Sequence, residues 1–515
     1  MSTALINLTP ETPWSFRDQP IIVGKDILEV LSNAMYVDPL AIYREYIQNA
    51  ADAIDEARRT GILSPRQTGA VEIEIDIERR TVLIRDNGTG IPAAEFESRL
   101  TSFGASVKRG TNSRGFRGVG RLSGLAYCQE LIFRSRSAGE PQVSELRWDC
   151  RKAKALLRSA DFAGDLGDVV AQSVQVRRID AKKGRDHFFE VELRNIQRLR
   201  NDWLLNPTVI EDYLSQVAPL PFAPQFRFAD DITTMLAEHA GLTDITLKVA
   251  GKVEPTFRPH RDFFDIASGK DNFDELQKIT IPGYDGGTAA VGWVLHHGYK
   301  GAVPDSNLKG LRLRSGNMQV GTNGILEDLF IETRFNSWSV GEIHVIDSRI
   351  IPNGRRDHYE QNVHYTNLIN QLSPIAREIS NRCRTSSAKR NWLRQFELQK
   401  AGVLERVEII RQGSVTPTQR KKLEIDIASA LQTMTKIADK TALASEAKTF
   451  LRRDIKKLEH RLATLKGRKY EAKPLASLSA SERRASEHIF SLIYECSPSR
   501  VVAKSLVDKI LSKLF

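Results

Sequence analysis

Four polar residues, Glu45, Asn49, Asp52 and Glu56, recur at helical spacing within the stretch from Asp38 to Thr60. On a helix that spacing puts all four on one stripe. A carboxylate one turn from a carboxamide can divide labour: Glu45 can orient a water and take its proton, while the Asn49 amide oxygen can ligate Mg2+. A solvated helix face has the same spacing, so the stripe alone leaves both readings open. The second group is Arg85-Asp-Asn-Gly-Thr-Gly-Ile-Pro92. Asp86, at the end of a strand-like run, can accept a hydrogen bond from an exocyclic amine, and Gly88 and Gly90 let a flat ring approach the backbone. Asn87-Gly88 is equally the signature of an ordinary hairpin turn. The third group, Gly115-Phe-Arg-Gly-Val-Gly-Arg-Leu-Ser123, follows Lys108, Arg109 and Arg114. Its glycines can expose successive backbone N–H groups at a helix start, a nest that holds phosphate, or they can simply make a flexible loop. The Gly-x4-Gly-Lys-Ser/Thr spacing of a Walker loop is absent.

These groups need elements to hold them. Asp38 as cap, Pro39 in the first turn and Gly61 past the end predict one helix from Asp38 to about Thr60. Alternation in Val71-Glu-Ile-Glu-Ile-Asp-Ile77 and Thr81-Val-Leu-Ile-Arg85 predicts two strands, with further strand-like runs at Asp168–Val176 and Phe188–Leu193. The mixture predicts an α+β sandwich. Pro-rich Ala218–Pro224 is the expected boundary between a first domain, 1–224, and a second mixed domain, 225–373; residues 374–515 read as helical. There Leu423, Ile427, Ala430, Met434 and Ile437, then Thr441, Ala444 and Lys448, then Leu451, Ile455, Leu458, Leu462 and Leu465 keep the 4-3 alternation of a coiled-coil seam, weak at its middle. Two helices folded back as a hairpin on the same chain fit that pattern as well.

With 515 residues, 41% apolar and 27% charged, the chain is neither a single small module nor disordered or collagen-like. It has no apolar stretch long enough to cross a membrane. Met1–Trp14 lacks a basic start followed by an apolar run, so no secretory signal and a cytoplasmic address are expected. Cys128, Cys150, Cys383 and Cys496 are far apart in sequence without CxxC spacing, so reduced core thiols are expected. The net charge of +11 is uneven: from Asn381 onward 29 Lys and Arg face 14 acidic residues, leaving the first 380 residues slightly acidic. A positive tail attracts polyanions.

In their order, the three groups resemble the Bergerat ATP-binding fold shared by DNA gyrase B, heat-shock protein 90, histidine kinases and MutL. Arg44-Glu-Tyr-Ile-Gln-Asn-Ala-Ala-Asp-Ala53 looks like that superfamily's N box, Asp86-Asn-Gly-Thr-Gly90 like its first glycine box, and Gly115-Phe-Arg-Gly-Val-Gly120 like its second. The resemblance implies ATP and Mg2+ as cofactors, Glu45 as general base, Asn49 as the Mg2+ ligand and Asp86 as the adenine reader. Asp52 would support the base-bearing helix or the nucleotide, Gly88 and Gly90 would lie against the ring, and Lys108, Gly115, Gly118, Val119 and Gly120 would meet the phosphates. The superfamily's Gly-Thr step is missing: the comparable place reads Gly184-Arg-Asp-His-Phe188, where His187 reads more naturally as a strand-edge side chain.

The same resemblance implies that the second domain is transducer-like and sends a basic residue to the terminal phosphate. Candidates are Lys309, Arg312 and Arg314 in Leu308–Asn317 and Arg355 and Arg356 in Ile351–Asp357. With 37 residues before the N-box helix, a sensor kinase is not expected. The overall look is nearest to stand-alone prokaryotic heat-shock-protein-90-like or MORC-like ATPases. Expected functions are an ATP-stabilised homodimeric clamp, with the basic C-terminal helices on DNA or RNA in maintenance or defence, or a chaperone or adaptor that recruits a separately encoded protein partner. A scaffold that binds nucleotide without hydrolysing it is the third reading.

Overall fold

The computed structural model describes residues 24, 38–102, 120–181, 186–199, 201–240, 244–267, 269–465 and 470–513. Two compact units divide them: residues 1–297 with 301–377, and residues 298–300 with 378–515.

The first unit opens with α1, Ala41–Arg59. Asp38 Oδ1 accepts the Leu40 N–H at 3.0 Å, so the aspartate shapes the turn before the helix and Leu40, not Asp38, occupies the N-cap. Ile42, Tyr43, Tyr46, Ile47, Ala50 and Ile54 form the buried side of α1, in one core with Val71, Ile73, Val82 and Ile84. Those residues come from β1, Ala70–Asp76, and β2, Thr81–Asp86, a hairpin in which Val71 faces Asp86. There follow α2 (Phe96–Thr101), β3 (Glu130–Arg136), β4 (Gln142–Asp149), α3 (Cys150–Arg158), α4 (Leu166–Ser173), β5 (Val174–Asp180) and β6 (Phe188–Arg194). The chain then forms α5 (Pro207–Val217), α6 (Ala229–Ala240) and β7 (Thr246–Val249). The seven strands form one sheet in the order β5-β4-β3-β6-β2-β1-β7. Only the β1–β7 pair is parallel, so the chain beyond Ala218–Pro224 returns to the first sheet before starting the second. One face of this sheet is apolar under α1. The other carries an ionic ladder in which Arg134 reaches Glu145 and Glu190 at 2.6 Å and Glu192 at 2.7 Å.

Asp168–Val176 is not the strand its apolar residues suggest. Asp165 and Asp168 close a reciprocal capping box, which starts α4, and the strand begins only at Val174. Leu166 and Val169 then fall on one buried helical side.

The second sheet consists of β8 (Phe263–Ile266), β9 (Gly269–Pro282), β10 (Thr288–His297), β11 (Gly310–Ser315), β12 (Met318–Val320) and β13 (Val340–Val345), in the order β12-β11-β13-β10-β9-β8. Its core joins Phe222, Phe226, Phe264, Phe273 and Trp293.

A helix of 50 residues, α7 (Val363–Gln412), runs on into the second unit, followed by α8 (Pro417–Ala438), α9 (Ser445–Leu465), α10 (Ala480–Cys496) and α11 (Arg500–Lys513). The coiled-coil seam breaks at residues 439–444, between α8 and α9, where its sequence is weakest. Ile427, Met434, Leu451, Ile455 and Leu458 are buried with Phe396, Val403 and Val407 of α7. The seam is therefore spent within the chain, as a hairpin against a third helix. Cys128, Cys150 and Cys383 are free and buried, as expected, with the Cys128 and Cys150 sulfurs 3.8 Å apart, whereas Cys496 is exposed.

Candidate active site

Glu45 lies on the first turns of α1, with only 7% of its surface exposed. Three things surround its carboxylate. The Arg44 guanidinium is 3.6 Å from Oε1, and Arg356 Nε is 3.8 Å from the same oxygen. Gly120 lies against the other oxygen so closely that a Cβ there would overlap Glu45 Oε2. Arg356 comes from the turn after β13 and is itself buried. Its φ is +56°, a left-handed conformation that a non-glycine residue adopts at a cost of about 1–3 kcal/mol. The turn is held from several sides: the Arg356 carbonyl accepts the Gly321 N–H at 2.8 Å, and Arg44 Nη2 donates to the Arg355 carbonyl at 2.9 Å. Burial pushes the Arg356 guanidinium below its ordinary range, and Glu45 opposes that shift.

The other basic candidates lie elsewhere. Arg312 is buried on β11 and donates to Gln319 and to the carbonyls of Ser306 and Asn307. Arg314 is fixed by Glu342 at 2.6 Å and by the Gln216 carbonyl at 2.6 Å. Burial brings both guanidiniums down to about 10. Lys309 offers its carbonyl to Arg312, and Arg355 presents its carbonyl to Arg44. Of the five, Arg356 is the one whose guanidinium meets the Glu45 carboxylate.

Asn49 is half-buried one turn beyond Glu45, and Asp52 is buried one further turn on. Gln48, just before Asn49 and 1% exposed, has an Oε1 with no hydrogen-bond partner among the described residues. A buried orphan acceptor beside the polar stripe costs about 1–3 kcal/mol unless something donates to it. Asp86 is buried at the end of β2, where its Oδ1 accepts the Gly88 N–H at 2.8 Å. Gly88 lies directly on α1: a Cβ there would stand 2.6 Å from the Ala53 Cβ. At φ +67° Gly90 takes a left-handed conformation, and a Cβ on it would run into the Arg136 carbonyl. Gly88 is thus the joint that brings the Asp86 strand end against the helix bearing Glu45.

Lys108, Gly115, Gly118 and Val119 lie outside the described residues. Gly120 opens a short 3-10 helix, Gly120–Ala126. That helix is pinned to α1 by Tyr46, whose hydroxyl accepts the Gly124 N–H at 3.1 Å and donates to the Arg121 carbonyl at 3.2 Å. Arg121 in turn donates to the Ser102 carbonyl, so both described flanks of residues 103–119 are tied together.

Arg44, Gln48 and His187 carry structural roles that residue type alone did not reveal. Arg44 stands inside the N-box run, but its link to the Arg355 carbonyl spans 311 positions. His187 is not merely at a strand edge: Nδ1 lies 2.7 Å from the Gly88 carbonyl, so the ring donates to the turn that follows Asp86.

The residues fit a purine nucleotide with magnesium. Among the described residues no cluster of three or more His, Cys, Asp or Glu side chains could hold a metal alone. Mg2+ commonly takes one or two protein oxygens and completes its shell with phosphate and water, which the Asn49 amide beside Glu45 suits. The buried Asp86 and the Gln48 orphan supply further polar groups beside the core of α1 and β2.

Residues 41–163 match the family described as histidine kinase-, DNA gyrase B-, and HSP90-like ATPase. Among curated proteins, the chaperone protein HtpG of Acinetobacter baylyi is 30% identical over 139 residues, 24% of this chain and 22% of that protein. HtpG of Buchnera aphidicola is 26% identical over 211 residues, covering 37% of this chain and 32% of its own, and that of Escherichia coli 23% over 257 residues, 47% and 38%. The chain thus spans well under half the length of these relatives.

Proposed function

We propose that this chain, whose residues 41–163 form a GHKL-type ATPase domain that binds ATP with Mg2+, hydrolyses its nucleotide and couples that cycle to opening and closing of a homodimeric clamp. The observation that carries the reading is the setting of Glu45, buried on α1 between Arg356 and Gly120. Glu45 takes a proton from a water whose oxygen attacks the γ-phosphorus. The bond from that phosphorus to the bridging oxygen breaks, and its electron pair leaves with ADP. Arg356 is the residue of the second sheet's side that meets the terminal phosphate, where a guanidinium can bind two oxygens at once. Arg44 holds both Glu45 and the turn that bears Arg356.

Asn49 would hold Mg2+, which supplies neutralisation of the phosphate charge. Asp86 would accept from the adenine amine, Gly88 and Gly90 admit the ring, and Asp52 supports the helix. Lys108, Gly115, Gly118, Val119 and Gly120 are assigned to the phosphates. In this scheme residues 1–224 bind the nucleotide, 225–373 transmit its state and 374–515 engage the client, in the cytoplasm.

Two client classes are in play. The excess of 29 basic over 14 acidic residues from Asn381 onward favours nucleic acid, hence a maintenance or defence role. A protein client is supported by the HtpG matches of 211 and 257 residues, which are longer than the 41–163 segment.

Glu45→Gln tests the core of the proposal. ATP binding is expected to persist while turnover falls by about 10² or more, the scale of general-base catalysis. Turnover at the unsubstituted level removes Glu45 from this role.

A further inference from the structure

The helical unit contains a groove of about 1030 Å³, lined by Lys400 and Leu404 of α7 and by residues of α9 from Thr449 to Arg461. Its charge is one-sided. Lys400, Arg452, Arg453, Lys456, Lys457 and Arg461 face Asp454, and Lys400 Nζ already holds that carboxylate at 2.6 Å. Arg452 reaches Asp439 at 2.7 Å. Arg453, Lys456, Lys457 and Arg461 are exposed, and none has a carboxylate partner among the described residues.

An ordinary solvated helix face looks different, and the same unit provides the comparison. Its other helices interleave opposite charges one turn apart: Arg382 with Glu378, Arg420 with Glu424, Lys504 with Asp508. On α9 the cations at 453, 457 and 461 instead follow one another at i, i+4 and i+8, where like charges repel and work against the helix. Another side of α9 is committed to the core through Leu451, Ile455 and Leu465, so the helix cannot turn this charge away. A helix that keeps repulsive charge in a concavity is built for an anion.

The size of the stripe selects the anion. From Arg452 to Arg461 the helix rises about 13–14 Å. A duplex presents one phosphate per about 3.4 Å of axis on each strand, hence about four along that length, matching the four cations without carboxylate partners. The groove lining holds no Phe, Tyr or Trp on which an unpaired base could stack. Leu404 and Leu458 are its apolar members, too few to insert into a lipid surface. We propose that this groove binds the phosphodiester backbone of double-stranded nucleic acid without reading its base sequence. The inference rests on the helical unit alone and does not depend on the assignment of Glu45.

The test uses the full chain and fluorescence anisotropy with a labelled random-sequence DNA duplex, titrated between about 50 and 200 mM salt. The variant Arg453→Gln/Lys456→Gln/Lys457→Gln/Arg461→Gln is compared with a charge-matched control, Lys421→Gln/Lys422→Gln/Arg484→Gln/Lys509→Gln, whose positions are exposed and outside the groove. The expected result is a salt slope smaller by about 3–4 in the groove variant, at about 0.9 for each phosphate no longer neutralised, and a slope near the parent's in the control, with ATP turnover equal in all three. Where the fourfold change lowers the melting temperature, Lys456→Gln/Lys457→Gln alone serves, with about half the effect on slope. The proposal is overturned by equal losses in both fourfold variants, by no duplex binding at the lowest salt, or by tighter binding to a single strand, polyglutamate or phosphatidylserine vesicles than to the duplex.

Discussion

A carboxylate that must take a proton from water is useful only while it points where the water stands, and at Glu45 the pointing is done by a residue with no side chain. Gly120 leaves space for Oε2 that a methyl group would occupy. Gly120→Ala therefore pits a fixed Cβ against the end of a flexible side chain, and the side chain yields. Backbone and core are untouched, so the melting temperature is expected to stay nearly unchanged while kcat drops. A displacement of about 1 Å at a reacting group can cost about 10²-fold. Thermal melting and steady-state turnover on one preparation check this: a large fall in melting temperature with normal kcat per folded molecule means Gly120 is needed for packing and not for aiming Glu45. Glycine identity at 120 was visible from its box, whereas its neighbour was not, since 75 positions separate it from Glu45.

At the scale of elements, the second sheet buries a polar cluster. Glu342, fully buried on β13, accepts from Arg258 at 2.5 Å and Arg314 at 2.6 Å, and His344 Nε2 is 3.2 Å away. Burial alone would raise the Glu342 carboxyl, yet Arg258 and Arg314 hold it well below the usual range. Burial brings His260 down to about 3 and His344 to about 4, from an ordinary value of 6.5. Below pH 6.5 the unfolded chain takes up imidazole protons that the folded chain refuses, so stability falls with pH from about 6.5 toward 4. The carboxylate adds to the loss below its ordinary 4.5, because its depressed folded value makes stability present above that point vanish under it. Melting temperature against pH is expected to decline steadily from about 7 to about 4, and His344→Phe to flatten part of that decline. Glu342→Gln leaves two buried guanidiniums short of a counter-charge and is expected to cost about 3–5 kcal/mol.

Arg312 and Arg314 illustrate what local pattern conceals. Alternating cations next to Gly310 look like a phosphate-binding row, but the groups that accept from them, Gln216, Gln319 and Glu342, come from three other segments. By contrast α1, β1 and β2 were legible because amphipathic period and turn residues act within a few positions. The difference at α4 has the same physical origin: Val169 and Val170 have strand-like side chains, and the Asp165–Asp168 box overrides them, while Val174 opens β5. Arg356 could be named among five candidates, while its selection required the fold to bring a turn 311 residues away onto Glu45.

For the whole molecule, the question is where a dimer could be stored. The one sequence pattern that suggested a constitutive interface, the seam from Leu423 to Leu465, is already buried on α7 of its own chain. Dimerisation is then expected to follow nucleotide state and not the seam. Solution mass should move from one chain of 57.9 kDa toward two on adding Mg2+ with a non-hydrolysable ATP analogue, and Glu45→Gln should hold the larger species with ATP itself. Met434, fully buried in the seam, separates the two schemes. Met434→Ala removes core volume, which costs about 2–5 kcal/mol, so the helical unit should melt earlier while the nucleotide-induced mass increase survives at temperatures where that unit is folded. Were α8 and α9 the contact between chains, the same substitution would weaken association at unchanged intrachain stability, and the mass measured across a dilution series would show it.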